Sequence, residues 1–190
     1  KSYDDPEWAP LLDQLTFNEM VNTITLGFHN TAAVESIGKT ATKDENGPQG
    51  LTAKLTGGIS GMCYTSEDVM AATFNTDLVN DVGRCIGEDC LNLGFSGLYG
   101  PGINMHRTAY SGRNFEYFSS DPFVAGTIVA AEVQGIQSKG VYVYLKHVAL
   151  NDSESSRRGV NTWLNEQTAR EIYLEVADKA ITDGGAWCVM

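Results

Sequence analysis

The second half of this sequence alternates between strand signals and helix signals, and that order is what most restricts its fold. A short apolar run at Leu98-Tyr99 comes before a helix that Asp121-Pro122 opens, and the β-branched and aromatic run Val141–Leu145 follows. Another helix begins at Asn165, and residues 186–190 again have the composition of a strand. This order of strands and helices predicts parallel βαβ units.

The first half is less regular. The segment Thr16-Phe-Asn-Glu19 has the pattern of a capping box, so we expect a helix that starts there and stops at Gly27. Residues 28–62 are rich in Gly, Thr and Asn, which predicts a long loop region with one short strand. The next helix is predicted to end at Gly94. Its apolar stripe consists of Leu78, Val79, Val82, Ile86 and Leu93.

A closed eightfold barrel of such units needs roughly 200–250 residues or more. The 190 residues hold about half of the required strand–helix units. We therefore predict an α/β fold that is the first half of a (β/α)8 TIM barrel, with residues 1–190 as one portion of a larger domain. Half a barrel leaves a strand edge unpaired, and two copies pairing through that open edge would be a homo-oligomer.

Composition argues against several classes of protein. A net charge of −11 repels phosphate backbones, so nucleic acid is not an expected partner. No apolar run reaches the ~18–20 residues of a membrane span, so no membrane is expected either. The four cysteines form no disulfide framework and are expected to be buried free thiols. This pattern, together with a first segment without an apolar signal core, favours a cytoplasmic location.

Cofactor and metal chemistry also fit poorly. The glycines at 97, 100 and 102 do not have the spacing of a dinucleotide fingerprint, and no phosphate-loop lysine follows them. His29, His106 and His147 lack the spacing of metal ligands, so we expect neither a cofactor nor a metal.

Polar side chains collect where the predicted strands end. Lys146-His147 directly follows one strand, and a loop holding Arg113 and Glu116 follows another. These residues could have a purely structural role, in which Arg113 pairs with Glu116 and Lys146-His147 anchors a loop. Because the active sites of βα-barrels lie at the carboxyl ends of the strands, several charged loops at that end also indicate a ligand site.

These loops resemble the family-three glycoside hydrolases, and the match runs from about Tyr3 to Met190. The motifs that carry the resemblance stand in the family's order: Gly100–Arg107, Gly112–Pro122, Lys146–Asp152, Gly159–Trp163, Glu166-Gln167 and Arg170–Tyr173. The Lys146-His147-Val-Ala-Leu segment is similar to the β-glucosidase branch. The histidine-rich loop of the N-acetylglucosaminidase branch does not occur here.

The resemblance implies a substrate and the residues that bind it. Arg113, Lys146, His147 and Arg157 would bind the sugar in the subsite that holds the scissile bond. Asn46 stands where the family usually has an aspartate, and Thr52 where it usually has an arginine. Asn46 keeps one acceptor for a sugar hydroxyl but loses the charge.

The resemblance also implies that the two catalytic carboxylates are absent from these 190 residues. The family nucleophile would lie beyond Met190, and the acid/base in a separate sandwich domain. Asp152 and Glu154 are the local carboxylates that could replace the catalytic pair, but the family uses neither.

The implied parent is a retaining exo-β-glucosidase that takes a small β-glucoside or oligosaccharide. These residues alone would then be inactive. Two alternatives stay open: a non-catalytic module that binds sugar or oligomerises through its open edge, and a parent that acts on β-xylosides.

Overall fold

The computed structural model describes residues 1–54 and 56–190, which form two compact units, Lys1–Asp44 and Glu45–Met190. The first unit contains helices α1 (Trp8–Leu12) and α2 (Phe17–Thr25) and strand β1 (Asn30–Thr31). The capping box at the start of α2 is confirmed. Thr16 Oγ1 accepts from the Glu19 backbone N–H, and the Glu19 side chain accepts from that of Thr16.

The region expected to hold one short strand holds two. Strand β2 (Thr42–Asn46) runs antiparallel to β1, with Asn30 opposite Lys43. Parallel units were predicted from the later strands, so this antiparallel pair adds to that prediction and does not contradict it. Lys43, Asp44 and Glu45 are poor strand formers by composition, so the pattern of residue types did not reveal β2.

The second unit has the predicted parallel architecture. After β2 come helices α3 (Glu67–Ala71) and α4 (Thr76–Asn92), strand β3 (Gly97–Tyr99), helix α5 (Pro122–Gln137) and strand β4 (Tyr142–Leu145). Helices α6 (Glu166–Thr168) and α7 (Glu175–Thr182) then lead to strand β5 (Cys188–Val189). β3 pairs with β4 in parallel, and β4 with β5 in parallel. With its helices this is part of a (β/α)8 barrel.

Glycines allow α4 and α5 to pack closely. A Cβ on Gly83 would lie 2.4 Å from the carbonyl oxygen of Glu132, and one on Gly135 would lie 2.2 Å from that of Asn80. Between these contacts and the strands lies an apolar core that includes Val79, Ile86, Val129, Ile136, Val143 and Leu145.

Three local predictions need correction. Leu78 is largely exposed although it was assigned to the buried stripe of α4, because it lies beside that stripe at the start of the helix. The helix expected from Asn165 onward is interrupted by a π-helical turn at Ala169–Tyr173. All four cysteines are free, but only Cys90 is buried; Cys63 and Cys85 are exposed, and Cys188 is intermediate.

The longest helices of the described residues, α4 and α5, are 17 and 16 residues long. None of the helices that the structure describes combines the length and the apolar character needed to cross a bilayer.

Candidate functional site

The backbone ties together the segments that follow β3 and β4. The Lys146 N–H donates to the carbonyl of Pro101 at 3.1 Å, and the Ile103 N–H donates to the carbonyl of Lys146 at 2.6 Å. These bonds form an isolated parallel bridge between Gly102 and Lys146, just beyond the paired residues of β3 and β4. The convergence expected from the sequence therefore has a backbone cause, since both loops start from one extended ladder.

Asn104 fixes the backbone of His147 from the neighbouring loop. Its Oδ1 accepts from the His147 N–H at 2.8 Å, and its Nδ2 donates to the His147 carbonyl at 3.1 Å. Asn104 is only 4% exposed, so these bonds are shielded from bulk solvent. Asn104 was not among the residues predicted to bind the sugar. Its signal in the sequence was its place in the Gly100–Arg107 motif, in the polar loop that follows the predicted strand Leu98-Tyr99.

Glu116 joins two of the predicted residues. One carboxylate oxygen lies 3.0 Å from Lys146 Nζ, and the other accepts from Arg113 Nε. Burial pushes the pKa of Glu116 upward, but the hydrogen bond from Arg113 and the charge of Lys146 outweigh burial, so the pKa is lowered. The expected Arg113–Glu116 pair is confirmed, and Glu116 turns out to orient Lys146 as well.

His147 lies behind this group as a neutral imidazole. Its Nε2 accepts from Arg113 Nη2 at 3.2 Å, so the proton sits on Nδ1, which can donate to Asn104 Oδ1 at 3.1 Å. Burial lowers the pKa of His147 to about 4, and the charges of Arg113 and Lys146 add to that effect. A neutral ring gives Arg113 an acceptor rather than a repelling cation.

Arg157 is more remote. It is exposed and donates to Glu154 Oε2 at 2.7 Å, while Glu154 Oε1 lies 3.6 Å from Arg113 Nη1. Arg157 thus reaches the other predicted residues only through the carboxylate of Glu154. Of the four predicted cationic or imidazole side chains, the structure brings Arg113, Lys146 and His147 together and leaves Arg157 at the rim.

A cavity of about 420 Å³ opens beside this group. Its walls include Arg113, Lys146 and Glu116, and Asn46 also lines it. The other lining residues are Gly47, Pro48, Gln49, Gly50, Leu51, Thr52, Lys54, Ser60, Gly61, Met62, Cys63 and Phe115. The volume lies in the range that holds small organic ligands. Guanidinium, ammonium and amide groups on its walls can donate to or accept from hydroxyl groups.

The two local carboxylates that could have replaced the missing catalytic pair are both engaged. Asp152 Oδ1 accepts from the Met105 N–H at 3.2 Å. Burial works to raise the pKa of Glu154, but hydrogen bonds from Arg157 and Asn151 and the charge of Arg113 lower it. An ion-paired carboxylate is a poor proton donor near neutral pH.

This chain is similar to known proteins both in its sequence and in its fold. The family model of the glycosyl hydrolase family 3 N terminal domain matches residues 14–190. Thermostable beta-glucosidase B of Acetivibrio thermocellus is 35% identical over an alignment of 189 residues that covers 95% of this chain and 25% of that protein.

Two further relatives show the range of the similarity. An exo-alpha-(1->6)-L-arabinopyranosidase of Bifidobacterium breve is 30% identical over 95% of this chain and 25% of its own length. A crystal structure of a beta-glucosidase from Kluyveromyces marxianus in complex with glucose has a TM-score of 0.88 and 32% identity, over 96% of this chain and 22% of that one. The chain spans about a quarter of the length of these relatives. It belongs to glycosyl hydrolase family 3, in the N-terminal domain that the family model describes.

Proposed function

We propose that this chain forms the sugar-binding part of the barrel of a retaining β-glucosidase, which removes terminal non-reducing β-D-glucosyl residues. The main observation in support of this function is that Arg113 and Lys146 converge on Glu116 at the wall of a cavity that Asn46 also lines. The relatives named as β-glucosidases, one of them solved with glucose, support the same substrate.

The proposed division of labour follows from the charges on the cavity wall. Arg113 and Lys146 donate to vicinal hydroxyls, and Asn46 accepts from one of them. Among the described lining residues Glu116 is the only carboxylate, and its two oxygens are used by Arg113 and Lys146. Retaining hydrolysis needs two carboxyl groups ~5–5.5 Å apart across the bond. We therefore propose that residues 1–190 contribute binding, and that both catalytic carboxylates come from the rest of the protein.

The sugar-binding role of Arg157 stays a prediction, and its place is now restricted to the entrance of the cavity. Because Arg157 is exposed and held by Glu154, we propose that it acts at the entrance rather than on the sugar in the cavity. Homo-oligomerisation through the open edge of the barrel also stays a prediction, and sedimentation analysis of the 190 residues would test it.

The proposed activity can be tested with the full-length protein and 4-nitrophenyl glycosides. We expect turnover of the β-glucoside, competitive inhibition by glucose, and no turnover by residues 1–190 alone. Lys146→Ala should raise KM about tenfold or more, because it removes a donor and leaves Oε2 of Glu116 without its lysine partner. Arg170→Ala is the matched control, since it removes an exposed cation paired with Glu166.

The substrate itself needs a separate comparison. The arabinopyranosidase relative shows that close similarity to this chain occurs with another sugar. The β-glucoside, the β-xyloside and the α-L-arabinopyranoside should therefore be assayed side by side. A preference for either pentoside would contradict the β-glucosidase assignment and leave the sugar-binding role of the cavity intact.

A further inference from the structure

The carboxylate of Glu45 lies beneath the cavity wall and contacts Asn46 twice. Glu45 Oε1 accepts from the backbone N–H of Asn46 at 2.9 Å and from its side-chain Nδ2 at 3.0 Å. The second carboxylate oxygen accepts from Thr56 Oγ1. Glu45 has no exposed surface, whereas Asn46 is partly exposed and lines the cavity.

This contact decides how the Asn46 side chain is oriented. An ionised carboxylate can only accept hydrogen bonds, so the amide atom that faces Glu45 must be the NH₂ group. Because the two amide atoms point in different directions, fixing Nδ2 on Glu45 leaves Oδ1 as the atom of Asn46 that can accept a bond from a cavity ligand. Thr56 and the Asn46 backbone hold the Glu45 carboxylate itself in place.

We propose that Glu45 is a positioning residue for the sugar site: its carboxylate holds the Asn46 amide so that Oδ1 accepts from a sugar hydroxyl. Glu45 also supplies the negative charge that Asn46 itself lacks, because a hydrogen bond joins the two side chains. This inference rests on the proposed sugar-binding function.

The arrangement makes a counterintuitive prediction about Asn46→Asp. By itself, a charged acceptor should bind a hydroxyl more strongly than an amide. Here the new carboxylate oxygen would replace an N–H donor about 3 Å from Glu45, and two carboxylates at that distance repel. We therefore expect Asn46→Asp to weaken sugar binding, and to do so because of Glu45.

The test is a double-mutant cycle in the full-length protein with Glu45→Gln, Asn46→Asp and the double variant. The measurements are the inhibition constant of glucose, kcat and KM for 4-nitrophenyl β-glucoside, and the melting temperature. Glu45→Gln has the same shape and keeps an oxygen for Asn46. It removes the charge and turns an NH₂ group toward the Thr56 hydroxyl, which can accept from it. Glu88→Gln removes an exposed carboxylate of α4 and serves as the control.

We expect Glu45→Gln to weaken glucose binding about threefold to tenfold while kcat changes less, since a charge-assisted bond becomes a neutral one. Asn46→Asp should weaken glucose binding about tenfold or more in the protein that keeps Glu45. The same change should cost at least about threefold less in the Glu45→Gln background. Glu88→Gln should match the parent.

Two results would overturn the positioning role: additive effects in the cycle, or tighter glucose binding by Asn46→Asp while Glu45 is present. A melting temperature that drops in Glu45→Gln with no change in glucose binding would likewise reduce Glu45 to a structural role. Failure of the proposed function is recognisable separately, because the unmutated full-length protein would then neither bind glucose nor cleave the glucoside.

Discussion

The carboxylate of Glu116 lies 3.0 Å from the ammonium nitrogen of Lys146, and both side chains are almost completely buried. Since Arg113 binds the other oxygen of Glu116, a single anion sets the directions of two cations on the cavity wall. The spacing of Arg113 and Lys146 is thereby fixed before any ligand arrives, which lowers the entropy lost on binding.

Replacing Glu116 with Gln should leave two neighbouring cations without their shared anion. We expect about 2–3 kcal/mol of lost stability, from unpairing buried charges, and a glucose affinity at least about tenfold weaker. Denaturant unfolding and glucose inhibition of the full-length protein measure the two effects. Glu166→Gln breaks an exposed pair with Arg170 and should change stability by no more than about 0.5 kcal/mol. Equal effects of the two variants would contradict the shared-anion account.

The protonation state of His147 gives a prediction about pH. Burial and the charges of Arg113 and Lys146 hold its pKa at about 4, so the imidazole should be neutral from pH 5 to pH 8. NMR titration of the imidazole should show a midpoint near 4, and His147→Gln should remove that resonance. The unfolded chain takes up this proton near the ordinary pKa of ~6.5, so the contribution of His147 to stability should fall as pH drops from 6.5 toward 4. A midpoint above 6 would show that Arg113 does not donate to this ring.

Gly102 marks a close approach between two parts of the loop after β3, its start and the segment that carries Glu116. A Cβ at this position would lie 1.9 Å from the carbonyl oxygen of Glu116 and 2.9 Å from the Tyr117 ring. Gly102→Ala should therefore cost about 3 kcal/mol or more, because backbone must move, and it should lower glucose affinity together with stability. Gly159→Ala is the control: no atom lies within 4 Å of its added Cβ. If both variants unfold at the same denaturant concentration, the close approach does not exist in solution.

The regular elements could be predicted because their signals are local. Thr16 and Asp121 cap helices where the pattern requires, and the β-branched run before Lys146 forms β4. The hairpin of β1 and β2 could not be predicted, because pairing of polar strands depends on partners that the pattern does not reveal. The π-helical turn at Ala169–Tyr173 likewise interrupts a stretch with ordinary helical periodicity.

The sequence predicted most of the residues at the site, but not the hydrogen bonds that hold them in place. The loops bearing Arg113 and Lys146 follow neighbouring parallel strands, so their convergence follows from topology. The roles of Asn104 and Glu45 depend on hydrogen bonds to a backbone carbonyl and to a side-chain amide. Such bonds have no sequence period, and only the coordinates of the folded chain reveal them.

A buried acidic pair that does not itself line the cavity should make stability fall as pH rises. Glu132 on α5 and Glu67 on α3 are both fully buried, and burial raises the pKa of Glu132 to about 8. The pKa of Glu67 is raised by burial and then by the charge of Glu132. Unfolded glutamates lose their protons near ~4.3, whereas the raised pKa of each folded partner delays that loss. Stability should therefore fall by a few kcal/mol as pH rises from ~4.3 through the pKa of Glu132 at about 8. Glu132→Gln should flatten this decline in urea unfolding measured from pH 5 to pH 9, and the exposed Glu88→Gln should leave it unchanged. A parent protein whose unfolding free energy is the same at both ends of that range would show that the pair is ionised or solvated in the folded state.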